Sequence, residues 1–350
     1  MFKAQTEWAK PEEFPDLRQA NTIAIDLETH DPDLKSKGSG SIVGRGKVVG
    51  IAIAVDGYSG YFPFDHKGGG NLEKNKVLEW FKDVCACPAD KIFHNAMYDV
   101  CWIRAMGIKI NGNIYDTMIA ASLVNENRFR FDLGSLGWDY VGRGKNETEL
   151  REAANEWGVD PKADMWILPS MYVGNYAQRD AELTLDLWKA MQKEISDQDL
   201  GSIFELETDL FPCLVDMKFK GVRVDVESAH KLKDQLSTQE KQLLLEVKGE
   251  TGIDTQIWAA RSIAKVFEKL NLPFERTEKT KAPSFTKNFL SQHEHPLVKK
   301  IAKAREINKA HTTFIDTIIR YEHKGRIHAD INQIRSDQGG TVTGRFSYSN

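Results

Sequence analysis

Asn21-Thr22-Ile23-Ala24-Ile25-Asp26-Leu27-Glu28 is the stretch that decides the fold. Its mostly apolar run, with β-branched residues at Thr22, Ile23 and Ile25, predicts a strand over Asn21–Leu27. Side chains two apart on a strand share a face, so Asp26 and Glu28 project together from the end of an otherwise apolar strand. Burying two like charges side by side is costly unless a cation neutralises them, and a divalent ion with a preference for oxygen ligands does this well. A polar loop opening on two acids writes the same three letters, so the pair needs company before it means chemistry.

Working outward, Val48–Val55 and Tyr61–Phe64 read as further strands, separated from the first by the Gly/Ser/Lys loop Lys35–Gly46. Lys76–Cys85 reads as a helix, Lys91–His94 as a strand, Ala96–Met106 as a helix, and Ile114–Tyr115 as a short strand running into a helix at Thr117–Val124. This alternation predicts an α/β domain. From about Ser135 helices dominate: Glu147–Trp157, Tyr172–Ile195, Asp199–Lys220, Glu227–Glu250, Ile257–Leu270 and a long basic helix over Pro296–Tyr321. Gly325–Ile334 reads as a turn and a strand, and the polar stretch Thr341–Asn350 as neither helix nor strand.

The chain has 350 residues, of which 41% are hydrophobic and 28% charged, so it is neither a disordered chain nor a coiled coil, and two or three domains are expected. Its longest apolar runs fall far short of the ~20 residues that span a bilayer, and Met1–Trp8 lacks the apolar core of a signal peptide. Four cysteines, with Cys85 and Cys87 one residue apart, form neither a disulfide framework nor a CxxC metal knuckle; a reducing, cytoplasmic setting and no membrane partner follow. Charge is segregated. Residues 1–200 hold 23 Lys and Arg against 31 Asp and Glu, whereas residues 251–350 hold 17 against 10, which makes the basic part a candidate for a polyanion partner, with chance unevenness of surface charge as the alternative.

Two further constellations join the strand acids. Asn95-Ala96-Met97-Tyr98-Asp99 follows the strand Lys91–His94, with Asn95 placed to cap the helix and Asp99 one turn in. Tyr176-Ala177-Gln178-Arg179-Asp180 sets a phenol and a carboxylate on one helix face. Each alone is what a cap or a surface hydrogen bond would write. Their order resembles the pattern of the DEDD exonucleases with tyrosine, and the segment resembles the proofreading domain of family A DNA polymerases. His94 through Asp99, Asp116-Thr117-Met118, Asp132 through Leu136 and Tyr176 through Leu187 carry the same resemblance. It implies an RNase H-like mixed α/β sheet over residues ~20–195, within an exonuclease domain at 1–198. It also implies two Mg²⁺ ions, with Mn²⁺ as the alternative, bound by Asp26, Glu28 and Asp180, with Asp99 holding the second through water. Tyr176 then orients the attacking water. A phenol with a pKa of about 10 is a poor base at neutral pH, so the metal must do most of the deprotonation.

A second resemblance covers 199–350, implying a mainly helical, thumb-like region and the start of a palm. Glu205–Asp225 resembles the entry to the polymerase region, and Thr277–Ser284 resembles a thumb segment in which Lys281 stands where many members have Gly. Arg305 through Phe314 resembles the thumb helix that tracks duplex DNA, with Arg305 and Lys309 four apart and Lys299, Lys300 and Lys303 just before; such cations neutralise phosphates. Thr341 through Tyr348 resembles the first palm motif, which implies a minor-groove contact for Arg345 near the primer terminus; Asn95 is expected at the single-stranded 3′ end. The family's fingers and catalytic palm aspartates would follow Asn350, so the chain alone is not expected to incorporate nucleotides. A split gene with a second chain carrying fingers and palm, a fragment, and a degenerate nuclease remain the three explanations. The wording of Glu28 through Pro32 is closest to bacteriophage polymerases. A stand-alone exonuclease like RNase D and a non-catalytic DNA-binding or assembly subunit are the competing functions.

Overall fold

A computed structural model describes residues 5–335 and 339–349. Met1–Ala4 of the opening segment and Asn350 of the closing stretch lie outside them. The chain divides into two compact units. One comprises residues 1–221 together with the returning segment 329–350; the other is the continuous stretch Val222–His328. The first thus runs past residue 198 and takes back the end of the chain.

The first unit is built on a five-stranded mixed sheet. Its strands are β1 (Thr22–His30), β2 (Lys47–Val55), β3 (Tyr58–Pro63), β4 (Asp90–Phe93) and β5 (Ile114–Asp116), in the order β3-β2-β1-β4-β5. β1 is central: antiparallel to β2 and parallel to β4. Ile23, Ala24, Ile25 and Leu27 are all buried, as a strand covered on both faces requires. The helices are α1 (Leu34–Lys37), α2 (Lys74–Ala86), α3 (Ala96–Ala105), α4 (Thr117–Val124), α5 (Leu133–Val141), α6 (Thr148–Trp157), α7 (Gly174–Asp197) and α8 (Gly201–Lys220). α7 packs across β1, β2 and β3 through Ala177, Ala181, Thr184, Trp188, Met191 and Ile195, a stripe at helical spacing. The RNase H-like mixed sheet expected from the sequence is present, and its strands start and stop within a few residues of the expected bounds.

The second unit holds β6 (Val222–Arg223), α9 (Val226–Thr251), α10 (Ala260–Lys269), β7 (Glu275–Arg276), β8 (Pro283–Ser284), α11 (Lys287–Gln292), α12 (Pro296–Lys309), α13 (Asp316–Tyr321), β9 (Glu322–His323) and β10 (Arg326–Ile327). Its own core gathers Val247, Ile263, Phe267, Phe285, Leu297 and Ile301. The long helix expected over Pro296–Tyr321 is interrupted: residues Ala310–Ile315 form a π-helical segment between α12 and α13. Where a polar loop was expected at Thr277–Ser284, β7 and β8 pair in a small hairpin, and Lys281 there has φ +54°. That left-handed backbone is why a glycine suits the position. In the first unit, β11 (Asp330–Asn332) pairs with β12 (Ser347–Ser349), a strand inside the stretch expected to have none.

Candidate active site

Asp26 stands at the middle of β1 and Glu28 two residues before its end, opposite Gly50 of β2, because the strand runs on to His30 beyond the expected Leu27. The register slips between Glu28 and Thr29, an irregularity right after the second acid, beyond which pairing resumes with Thr29 opposite Val48. Gly50 is needed here: a Cβ on it would lie 2.1 Å from the Tyr61 hydroxyl. That hydroxyl is bonded to His66 Nε2 at 2.5 Å. Asp99, on α3, is buried, and its Oδ1 accepts the Leu27 N–H at 3.0 Å, so a third carboxylate is tied to the strand at the residue between the other two acids.

Asp116 sets that helix in place. Its carboxylate accepts the N–H groups of Asn95 (3.0 Å), Ala96 (2.8 Å) and Met118 (2.8 Å), joining the starts of α3 and α4. Asn95 does not cap α3 with its side chain, contrary to expectation; it has φ +66°, and Asp116 takes the donors instead. Burial pushes the Asp116 carboxyl up to about 6 against these bonds.

Asp180 and Tyr176 come from α7, where Asp180 sits inside the buried stripe with 1% exposure. The sequence reading missed their companion, Lys145. Its Nζ donates to Asp180 Oδ2 at 2.5 Å and lies 3.5 Å from the Tyr176 hydroxyl and 5.4 Å from that ring's centroid. It sits in the Gly142-Arg143-Gly144-Lys145 connector between α5 and α6, where no periodicity marks it. A Cβ on Gly144 would stand 2.3 Å from Trp138 Nε1, so the loop runs tight against that ring.

The electrostatics are those of excess buried negative charge. Burial raises the pKa of Asp26, and the Asp180 charge adds to it; Lys145 opposes both. Burial and then Asp26 raise Glu28 and Asp99. Burial raises Asp180 against the nearby ammonium, and burial together with Asp180 raises the Tyr176 phenol. Burial alone would lower Lys145, but Asp180, Asp26 and Glu28 outweigh it. Beside the acids opens a cleft of about 750 Å³ lined by Asp26, Asn95, Trp138, Lys145, Arg151 and Lys162. Trp138 is 65% exposed.

Residues 5–196, more than half of the chain, match the 3′–5′ exonuclease family, and residues 226–350 match DNA polymerase family A. The chain belongs to the family A DNA polymerases. It is 32% identical to a DNA-directed DNA polymerase of Pseudomonas phage M6, over 98% of this chain and 54% of that one. It is 29% identical to the DNA polymerase DpoZ of Acinetobacter phage SH-Ab 15497, over 96% of this chain and 56% of that one. With the DNA polymerase I of Borreliella burgdorferi the identity is 25%, over 95% and 35%. The chain spans about half the length of the phage relatives. The fold is shared with the POL domain of Pol1 from M. smegmatis, solved in complex with DNA primer-template and dNTP (TM-score 0.66, 20% identity, covering 93% of this chain and 50% of that one).

The exonuclease domain of this family is metal-dependent, and the residues here fit a divalent ion. Glu28 Oε1 and Asp180 Oδ1 are buried without a hydrogen-bond partner, and an all-oxygen donor set suits a hard cation. Among the described residues, no three His, Cys, Asp or Glu side chains stand close enough to hold one as they are. The Lys145 ammonium is set among them instead. Of the expected family A DNA contacts, Asn95 lines the cleft and Arg345 is exposed on the returning segment. Arg305 and Lys309 belong to the second unit, and Arg305 is not a free cation there. Its Nε donates to Ile257 O at 2.6 Å, a terminal NH to Phe285 O at 2.8 Å, and its guanidinium covers Trp258 at 5.2 Å. Lys300 pairs with Glu246 and Glu250, and Lys303 with Glu306, whereas Lys309 is exposed. The helix is therefore less cationic than its sequence.

Proposed function

We propose that the first unit is a 3′–5′ exonuclease that hydrolyses the terminal phosphodiester of a DNA strand. The observation that carries this is the Leu27 N–H to Asp99 bond, which fixes a carboxylate at the step of β1 separating Asp26 from Glu28. Asp26, Glu28 and Asp180 would hold two Mg²⁺ ions, with Asp99 beside them. When bound, such ions supply an activated hydroxide and stabilise the leaving oxygen. Tyr176 keeps its proton, because burial and the Asp180 charge both oppose the phenolate. It acts as a donor that orients the attacking water. Asn95 and the basic rim of the cleft would guide the single strand, and an exposed ring such as Trp138 suits base stacking.

In the same reading the second unit binds primer-template duplex. It carries twenty Lys and Arg against fourteen Asp and Glu, and Lys309 is among the exposed cations. Arg345 would contact the duplex from the returning segment. A reducing, cytoplasmic setting is supported by four free cysteines. Among the described residues, no helix is long and apolar enough to cross a membrane.

The test is digestion of 5′-labelled DNA, single-stranded and mismatched duplex, with Mg²⁺ or EDTA and with an Asp26→Ala control. A Mg²⁺-dependent ladder shortening from the 3′ end, absent in the control, is expected. No shortening in Mg²⁺ overturns the reading.

A further inference from the structure

Lys145 is the one member of this constellation to which the hydrolytic reading gives no task. Its Nζ holds Asp180 Oδ2 at 2.5 Å, touches the Tyr176 hydroxyl at 3.5 Å, and sits in the field of Asp26 and Glu28. It therefore stands in the field of three carboxylates, bound to an oxygen that an incoming ion needs. Asp180 Oδ1, the other oxygen of the same group, is buried and unpartnered. We propose that Lys145 is a displaceable internal cation: it neutralises Asp180 in the free protein, leaves it when a divalent ion enters, and so sets the affinity of the site for metal. This rests on the reading of Asp26, Glu28 and Asp180 as metal-holding residues.

Three features give the ammonium a way out. Its side chain is 27% exposed while that of Asp180 is 2% exposed, so the pair is buried at the acid and open at the base. Lysine is a compact, strongly hydrated charge on a flexible four-carbon stem, able to swing without its backbone moving. The backbone itself is anchored, with Gly142 at φ +76° closing α5 and Gly144 against Trp138. The adjoining cleft, which Lys145 lines, gives the withdrawn head a place in solvent. Glu147, the nearest acid along the chain, is already engaged by Arg151 and Lys162. Lys145 is thus a positioning residue, acting through Asp180 and Tyr176.

Occupation of Asp180 Oδ2 by Nζ and by a metal ion exclude each other, so removing the ammonium must tighten metal binding. A residue serving only the structure would have the opposite effect. The experiment is titration of the full chain, without DNA, with Mn²⁺ as probe, read by calorimetry and by the electron paramagnetic resonance of free Mn²⁺. The proteins compared are the wild type, Lys145→Met, Lys145→Gln and Lys162→Met. The last removes an exposed charge from the same cleft without touching Asp180. The two Lys145 variants are expected to bind Mn²⁺ about five- to tenfold more tightly than wild type, a gain in the range of one half-exposed ion pair. They should also have a lower thermal midpoint without metal and a larger rise with it, while Lys162→Met stays close to wild type. The glutamine variant keeps the test open if methionine prevents folding. Wild-type binding with unchanged or weaker affinity in the Lys145 variants overturns this inference and leaves the metal-site reading standing. Equal tightening in Lys162→Met overturns it too, since the general field of the cleft would then suffice. No Mn²⁺ binding by any of the proteins overturns the metal-site reading and the inference with it.

Discussion

Asp180 is an acid in the middle of an apolar helix stripe, flanked by Ala177, Ala181 and Thr184, all buried. Such a placement is costly, and it is retained where chemistry needs it. Asp26→Ala and Asp180→Ala are each expected to abolish Mg²⁺-dependent shortening of DNA while leaving the circular dichroism spectrum unchanged. Tyr176→Phe should slow single-turnover cleavage less than either, because it removes a donor and not a charge. These acids were legible in the sequence because each interrupts an apolar pattern at a fixed place in a strand or helix. Lys145 was not, because a lysine in a glycine-flanked connector has no periodicity to break. Elsewhere in the first unit, His66 is buried against Tyr61, and burial pulls its pKa from 6.5 down to about 4. The folded state thus favours the neutral ring: its contribution is full above pH 6.5 and is lost as the pH falls toward 4. Urea denaturation should show wild type losing ~3 kcal/mol more than His66→Gln over that window. Parallel pH profiles for the two proteins would refute the assignment.

At the scale of elements, the site depends on how α3 and α4 start. Asp116 satisfies three backbone donors from both helices, one of which opens the helix that carries Asp99. Asp116→Ala leaves those donors without an acceptor and is expected to cost on the order of 2–3 kcal/mol. It should also lower the cleavage rate through Asp99 although it touches no substrate. Full activity at unchanged stability would show that α3 holds itself. The strand–helix alternation from β1 to α4 was readable, since each element there is either a short buried run or a helix with clear bounds. The sequence said less where backbone geometry decides. The left-handed turn at Asn95, the π-helical segment at Ala310–Ile315 and the pairing of β12 with β11 all depend on partners distant in sequence. Likewise Lys300 read as open charge because Glu246 and Glu250, its partners on α9, lie some fifty residues earlier.

The whole molecule keeps the charge separation seen along the sequence. The second unit has an excess of six positive charges, twenty against fourteen, while the chain as a whole is −4. Duplex binding is therefore expected to be strongly salt-dependent and to draw most of its charge from Val222–His328. Lys309→Ala should weaken it equally for unrelated sequences and reduce the slope of log affinity against log salt by about 1, with hydrolysis of single strands unaffected. A fluorescence anisotropy series from low to physiological salt measures this, and an unchanged slope would remove Lys309 from the interface. The first unit, by contrast, is assembled from two separated stretches of chain. Lys218 of α8 is buried in an ion pair with Asp330, and the Gln333 amide donates to Glu207 O at 2.6 Å. During synthesis these partners emerge only after the second unit has been made. At ~5–20 residues per second, the nascent first unit waits roughly 5–20 s before the returning segment can pair with α8. Ribosome-bound chains halted before Ala329 should therefore present α8 to chaperones, and release of the returning segment should end that exposure.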